Sequence, residues 1–185
     1  INEEKSLFSL KEILERQKVL GIDIEQTYLD SYQGYICLIQ ISTISCDYLI
    51  DAILLHDHIS DCLKEIFENP DIVKVFYSGS SDLLWLNRDF GIFVVNYFDI
   101  YSAAQYCDRK RDCSLIGMLK EYCNHHFDRE SKKKFQVSDW RIRPLHKEQL
   151  NYAALDAHFL IYLREVMVEK LEKLNDQAKV KNFLL

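Results

Sequence analysis

The alternation of hydrophobic and polar residues in the first third of the chain follows the two-residue period of β-strands. Residues 18–25, 35–43 and 48–53 are rich in β-branched and aromatic side chains, and turn residues separate them at hairpin-length distances. This pattern predicts a three-stranded antiparallel meander. A short helix is predicted ahead of it at 9–15, a segment that opens with the Ser-x-x-Glu pattern of a capping box.

The pattern changes after residue 58 to alternating helices and strands. Residues 59–68 and 81–90 have helical spacing, the second capped by Ser81, and the apolar run 72–77 between them is typical of a buried strand. Such alternation indicates parallel strands joined by crossover connections. Downstream, the pattern predicts a strand at 93–95 and helices at 100–107, 114–123 and 147 to about 174.

These elements predict an α/β fold with a mixed sheet, an antiparallel meander plus parallel strands, flanked by helices. No repeat or low-complexity tract divides the chain, so we expect a single domain over 1–185. The polar and basic segment 124–145 carries few helix or strand signals. A connection of that length in a compact domain is usually functional or mobile.

Composition agrees with a folded domain, since 185 residues at 48% hydrophobic content allow a sizeable core. No apolar run approaches the ~20 residues of a membrane span, and nothing resembles a secretory signal. We therefore expect no membrane partner. The chain begins at Ile1 rather than Met, which leads us to expect a domain taken from a longer protein.

Six cysteines show no Cys-x-x-Cys spacing, which favours a reduced, intracellular protein. Cys113, Cys123, His125 and His126 are an alternative zinc cluster. Their spacing matches no common zinc site, so ordinary helix and loop positions are favoured.

Charge is distributed unevenly along the chain. The net charge is −6, yet residues 105–147 hold eleven Lys and Arg against six Asp and Glu. A basic region in an acidic body is expected if a phosphate backbone passes over it toward an acidic metal site. The alternative for its Lys132–Lys134 run is a solvated loop.

Five residues suggest chemistry. Asp23 and Glu25 lie two apart on a predicted strand and so share one face. Tyr152 and Asp156 lie one helical turn apart, and Asp82 stands at the start of a predicted helix. Singly, each has a structural explanation: an edge-strand pair, a tyrosine-to-aspartate hydrogen bond, or a helix N-terminal acid. Together they form a set of hard oxygen ligands of the kind that Mg²⁺ and Mn²⁺ prefer.

With their flanking sequences, these residues resemble the exonuclease motifs of the DEDD superfamily in its tyrosine subtype, on a ribonuclease H-like fold. Residues 32–42, 85–91 and 139–145 resemble the ribonuclease D branch, and in particular the catalytic domains of nuclear 3′–5′ exoribonucleases that work with the RNA exosome. The resemblance covers roughly residues 7–174.

The resemblance implies a metal-dependent 3′–5′ exoribonuclease that releases nucleoside 5′-monophosphates. Two divalent cations, Mg²⁺ or Mn²⁺, would clamp the attacking water and the leaving 3′-oxygen, and Tyr152 would orient that water. It also implies RNA 3′ ends and the exosome as partners, and a nuclear location that includes the nucleolus. The metal ligands would be Asp23, Glu25, Asp82 and Asp156.

The substrate contacts implied are Gln26, Trp85, Lys133 and Lys134. Trp85 would stack on a base, although core packing explains its spacing equally well. The basic stretch 129–134, with Arg141 and Arg143, would steer the RNA backbone. The alternative for the two arginines is to brace Asp139 and nearby carbonyl groups.

One stretch departs from the family pattern. Relatives commonly read His-Gly-Ala-Asp-Ser before the middle aspartate, whereas residues 77–81 here read Tyr-Ser-Gly-Ser-Ser. Such changes around a ligand alter metal affinity or activity by about 10–100-fold. A non-catalytic RNA-binding or assembly module is therefore one alternative, and a DNA-directed exonuclease of the same superfamily is another.

Overall fold

The computed structural model describes residues 1–107, 112–126 and 129–174. Five strands form one sheet in the order β3-β2-β1-β4-β5. The β1–β2 and β2–β3 pairs are antiparallel, whereas β1–β4 and β4–β5 are parallel. The predicted meander and the switch to parallel strands are both confirmed. The strands are β1 Val19–Thr27, β2 Tyr35–Ser42, β3 Asp47–Asp51, β4 Val73–Phe76 and β5 Tyr97–Asp99.

Helices cover both faces of the sheet because both faces are apolar. They are α1 Glu4–Leu14, α2 His56–Phe67, α3 Ser80–Phe90, α4 Ile100–Cys107, α5 Leu115–Cys123, α6 Arg129–Gln136, α7 Lys147–His158 and α8 Leu160–Lys173. One core joins α1, α2 and α3 to the sheet, and a second joins α4, α5 and α8. A Cβ at Gly21 would lie 2.9 Å from the carbonyl oxygen of Ala157, so glycine lets α7 approach β1 closely.

The predicted capping box is wrong. Helix α1 begins at Glu4 with Glu3 as its N-cap, and Ser9 lies inside the helix, where its hydroxyl donates to the carbonyl oxygen of Lys5 at 3.0 Å. The buried stripe of Leu7, Leu10 and Leu14 extends the helix upstream of the predicted start.

Two further predictions are corrected near the middle of the chain. Ser81 does not cap α3, whose N-cap is Gly79, with no side-chain capping bond. The strand predicted at 93–95 lies instead at Tyr97–Asp99, because that segment has the register to pair in parallel with β4. Phe93 is 65% exposed, outside the core.

The C-terminal region also differs from its sequence pattern. The long helix predicted from residue 147 is two helices, α7 and α8, separated at Phe159, which is the C-cap of the first and the N-cap of the second. Helix α7 packs on β1, β2 and β3, whereas α8 packs mainly on α4, so the break lets each helix bury its own apolar stripe. The 124–145 segment contains α6, which the sequence pattern does not indicate. Within the described ranges, no helix combines the length and apolarity that crossing a membrane requires.

Candidate active site

Three carboxylates meet where α7 crosses β1. Asp23 and Glu25 lie on the face of β1 that packs against α7, the same face as Gly21. Asp156 extends from α7 toward these two side chains. Each offers an oxygen atom, and these atoms all lie within 4.8 Å of one another. The pair on the strand and the acid on the late helix are therefore brought together, as the resemblance implies.

Burial makes the negative charges of these carboxylates unfavourable unless a cation is bound. Glu25 is 9% exposed and Asp156 is 7% exposed, so water screens their repulsion poorly. Like-charged carboxylates at this distance favour a divalent cation, and oxygen donors are the ligands that Mg²⁺ and Mn²⁺ prefer. The residues present therefore fit a divalent metal.

Asp82 lies in the first turn of α3 and faces the same cleft, outside the group of three. Burial, followed by the negative charge of Asp99, raises the pKa of Asp82 to about 7. A helix N-terminus favours the ionised form, but here desolvation and the neighbouring charge outweigh it. Asp82 therefore takes up a proton at a higher pH than an ordinary aspartate does.

Tyr152 is held as a neutral phenol. It is 5% exposed, and burial, then the charges of Asp156 and Glu25, raise its pKa far above the usual value for tyrosine. Its hydroxyl bonds to the Asp156 side chain one helical turn away. The ring centroids of Phe135 and Trp140 lie 5.3 Å and 6.2 Å from that of Tyr152, so aromatic packing fixes the phenol ring.

The cleft around these groups has a volume of about 350 Å³. Gln26 lines it, as the resemblance implies for a substrate contact. Sequence reasoning missed five lining residues: Tyr77 and Ser78 in the turn after β4, Leu115 of α5, Gln136 of α6, and Ile24 between the two acids of β1. For Tyr77 and Ser78, the departure from the family pattern at 77–81 was a signal in the sequence. Gln136 was missed because helix α6 was not predicted.

Trp85 is packed into the fold. It is 6% exposed, with the Arg88 guanidinium carbon 4.1 Å from its ring centroid and the Tyr28 ring edge-on at 5.2 Å. A Cβ at Gly34 would lie 2.5 Å from the indole, which explains a glycine there, at φ +64°. Trp85 does not line the carboxylate cleft, so its core role is observed and its base contact stays a prediction.

Lys133 and Lys134 are exposed on α6, beside the cleft residue Gln136. Lys134 lies 3.2 Å from Glu148, and its ammonium group is 5.0 Å from the Phe135 ring centroid. The side chains of 129–132 lie outside the described residues, so the basic stretch is described only in part.

Arg141 and Arg143 hold the fold together. Arg141 donates to both oxygens of Asp139 at 2.9 Å and also pairs with Asp30, in the loop between β1 and β2. Arg143 pairs with Asp51 at 2.8 Å. It also donates to the carbonyl groups of Cys37 and Trp140. Of the two interpretations of these arginines, bracing is the one observed.

The zinc alternative finds no support. Among the residues described, the Asp23, Glu25 and Asp156 group is the single set of three or more metal-ligating side chains in close proximity. Cys113 is buried near the start of α5, and its carbonyl oxygen accepts the Tyr77 hydroxyl at 2.8 Å.

Known proteins share this architecture. A family model described as 3′-5′ exonuclease matches residues 1–172. Exosome complex exonuclease RRP6 of Saccharomyces cerevisiae is 39% identical over 180 residues, covering 97% of this chain and 24% of that protein. The catalytic core of RRP6 from Trypanosoma brucei superposes with a TM-score of 0.89 at 32% identity, covering 97% of this chain and 48% of that one.

Escherichia coli RNase D, an exoribonuclease involved in structured RNA processing, superposes with a TM-score of 0.84 at 25% identity, covering 97% of this chain and 46% of that one. The chain spans about a quarter or less of the length of the curated relatives that it matches, 24%, 19% and 25% in three of them. These likenesses confirm the predicted ribonuclease H-like fold. Because the family model covers nearly the whole chain, and the carboxylates expected of such an enzyme meet in one cleft, this chain belongs to the 3′-5′ exonuclease family.

Proposed function

We propose that this chain is a metal-dependent exonuclease domain, extending over 1–185, that removes nucleoside 5′-monophosphates from the 3′ ends of RNA. The observation that carries the proposal is the approach of Asp23, Glu25 and Asp156 to within 4.8 Å, in a cleft that Asp82 and Tyr152 also line. Four acids and a neutral phenol in one cleft suit phosphodiester hydrolysis.

Asp23, Glu25, Asp82 and Asp156 would hold two divalent cations, Mg²⁺ or Mn²⁺. When bound, the cations neutralise phosphate charge and lower the pKa of a coordinated water. Asp82 lines the same cleft but lies outside the group formed by the other three acids. This separation supports two ions, because one ion can be bound by the group of three and a second can be shared with Asp82. The chain itself contributes the fixed positions of the four acids.

Tyr152 acts as a hydrogen-bonding group rather than a base, because its raised pKa keeps the phenol protonated at neutral pH. The hydroxyl bonds Asp156, and it borders the cleft where a water attacking phosphorus would stand. Its role is to orient that water and to hold Asp156 in place.

RNA is the proposed substrate because relatives of 39% and 25% identity are named as an exosome exonuclease and an RNase. Gln26, Trp85, Lys133 and Lys134 are the proposed RNA contacts. Association with the exosome, and a location in the nucleus and its nucleolus, are proposed on the same relatives. The DNA-directed alternative differs by recognition of the 2′-hydroxyl and is decided by experiment.

The test uses 5′-labelled RNA and DNA of the same sequence, incubated with the protein and Mg²⁺ or Mn²⁺. We expect stepwise shortening of RNA from its 3′ end and release of nucleoside 5′-monophosphates, with a 3′-phosphate as a blocking control. Asp82→Asn should lose this activity. Equal rates for the wild type and Asp82→Asn would favour the non-catalytic RNA-binding module, and preferential shortening of DNA would favour the DNA-directed enzyme.

A further inference from the structure

Asp99 uses both carboxylate oxygens to join two helix N-termini. It ends β5, opposite Phe76 of the parallel strand β4. One oxygen accepts the Ser102 amide at 2.7 Å and so caps α4. The other accepts the Gly79 amide at 2.8 Å.

The second bond fixes the turn that carries Asp82. Gly79 is the N-cap of α3, and Asp82 follows three residues later in its first turn. Ser78, just before, has a φ of +57°, which a non-glycine residue adopts at a cost and which the surroundings must therefore maintain. A Cβ at Gly79 would lie 2.5 Å from the Cβ of Phe76, so the turn is pressed against the end of β4.

Asp99 and Asp82 differ in what their carboxylates face. Both oxygens of Asp99 already accept backbone amides, whereas Asp82 borders the open cleft. The two acids therefore have different tasks.

We propose that Asp99 is a positioning residue for the metal site: by bonding the Gly79 amide it fixes the turn before α3 and so holds Asp82 where it can bind a cation. This rests on the metal site proposed above. Asp99 itself does not line the cleft. Loss of its bond lets the turn relax, and Asp82 moves relative to Asp23, Glu25 and Asp156.

Two variants separate this role from helix capping. Asp99→Ser retains an N-cap oxygen for α4 but is too short to reach Gly79. Asp99→Asn keeps the size of the side chain but has only one acceptor atom for the two amides. The measurements are the Mn²⁺ dissociation constant from calorimetry, the melting temperature without metal, and hydrogen exchange at the Gly79 amide.

We expect Asp99→Ser to weaken Mn²⁺ binding by about 10–100-fold, the usual effect of losing a group that orients a metal ligand. Exchange at the Gly79 amide should become faster, while the α4 cap limits the fall in melting temperature. Asp99→Asn should fold, because the side chain keeps its size, and it should lose less Mn²⁺ affinity than Asp99→Ser does. The loss should persist at 0.5 M KCl (about 4 Å screening length), because a displaced ligand is insensitive to screening.

A dissociation constant within about twofold of wild type in a folded variant would overturn the proposal, since Asp99 would then only cap α4. A loss of affinity that disappears in high salt would overturn it as well, because long-range charge would explain the effect. If the wild type binds no Mn²⁺, the proposed metal site itself fails, and that outcome is distinct from the other two.

Discussion

The hydroxyl of Tyr77 donates a hydrogen bond of 2.8 Å to the carbonyl oxygen of Cys113. This bond joins the residue after β4 to the segment before α5, and both Tyr77 and Leu115 line the cleft. Burial raises the pKa of Tyr77, so the donor is retained at neutral and mildly alkaline pH. Tyr77 lies in the stretch 77–81, where the sequence departs from the pattern of the family that it resembles.

Removing this hydroxyl should loosen one wall of the cleft. We expect Tyr77→Phe to lower the free energy of unfolding by about 0.5–1.5 kcal/mol, the net worth of one hydrogen bond, and to raise KM for a short RNA more than it lowers kcat. Urea denaturation and steady-state kinetics check the two effects. Tyr101→Phe is a matched control, since Tyr101 contacts the Tyr77 ring at 5.9 Å, across an edge-to-face contact that phenylalanine preserves. Equal effects of the two variants would contradict the assignment.

Metal binding should depend on pH through Asp82. Its pKa of about 7 means that the carboxyl is protonated below neutrality, and a cation binds only the ionised form. Mn²⁺ affinity should therefore rise from pH 6 to pH 8, with a slope approaching ~10-fold per pH unit on the acid side.

Calorimetry in buffers of different ionisation enthalpy should detect proton release as Mn²⁺ binds near pH 6.5. In Asp82→Asn, that proton release should disappear and the remaining affinity should vary less with pH. A proton release unchanged in this variant would assign the titration to another group.

Tyr152 should matter for rate more than for binding. Phenylalanine preserves the packing of its ring against Phe135 and Trp140 but removes the hydroxyl that bonds Asp156. We expect Tyr152→Phe to lower kcat by about 100-fold or more with little change in RNA affinity, as for loss of a group positioned at the reacting atoms. Fluorescence anisotropy with labelled RNA and single-turnover rates separate the two. Tyr162→Phe, at an exposed position on α8, is the control, and a parallel fall in RNA affinity would indicate a structural role for Tyr152.

Lys74 gives a pH-dependent contribution to stability. Its side chain is fully buried on β4 and donates to the carbonyl groups of Asn69 and Ile72 at 2.7 Å and 2.6 Å, and burial lowers its pKa to about 8. The unfolded chain, with an ordinary lysine pKa of about 10.4, binds more protons than the folded protein above pH 8. Folding stability should therefore rise as pH increases from 8 toward 10.

In Lys74→Met the side chain at position 74 cannot titrate, so this part of the rise in stability with pH should be absent. The two proteins are compared by urea denaturation at three pH values between 7.5 and 9.5, and the quantity of interest is the difference between their free energies of unfolding. A difference that is constant with pH would show that Lys74 keeps its ordinary pKa in the folded state.

The elements with strong local signals were predictable. The two-residue period of the strands predicted the meander. The later alternation of helix and strand patterns predicted α2, β4 and α3, with boundaries a few residues from those observed. The failures have physical causes. The start of α1 depends on leucines that pack against the rest of the protein, and β5 lies where parallel register with β4 is available. Helix α6 is too polar for its pattern to indicate burial, and among its described side chains, 133–136, the buried one is Phe135, which packs against Tyr152.

By itself, the sequence determined which side chains share a face, because covalent geometry and the strand and helix periods act over only a few residues. Asp23 with Glu25, and Tyr152 with Asp156, follow from this alone. Packing of the chain brings Asp156 to the strand pair and forms the ion pairs of Arg141 and Arg143. It also raises the pKa of Asp82, through burial and then the charge of Asp99. Distances between remote residues and the loss of water around a charge exist only once the chain has packed, and no local pattern encodes them.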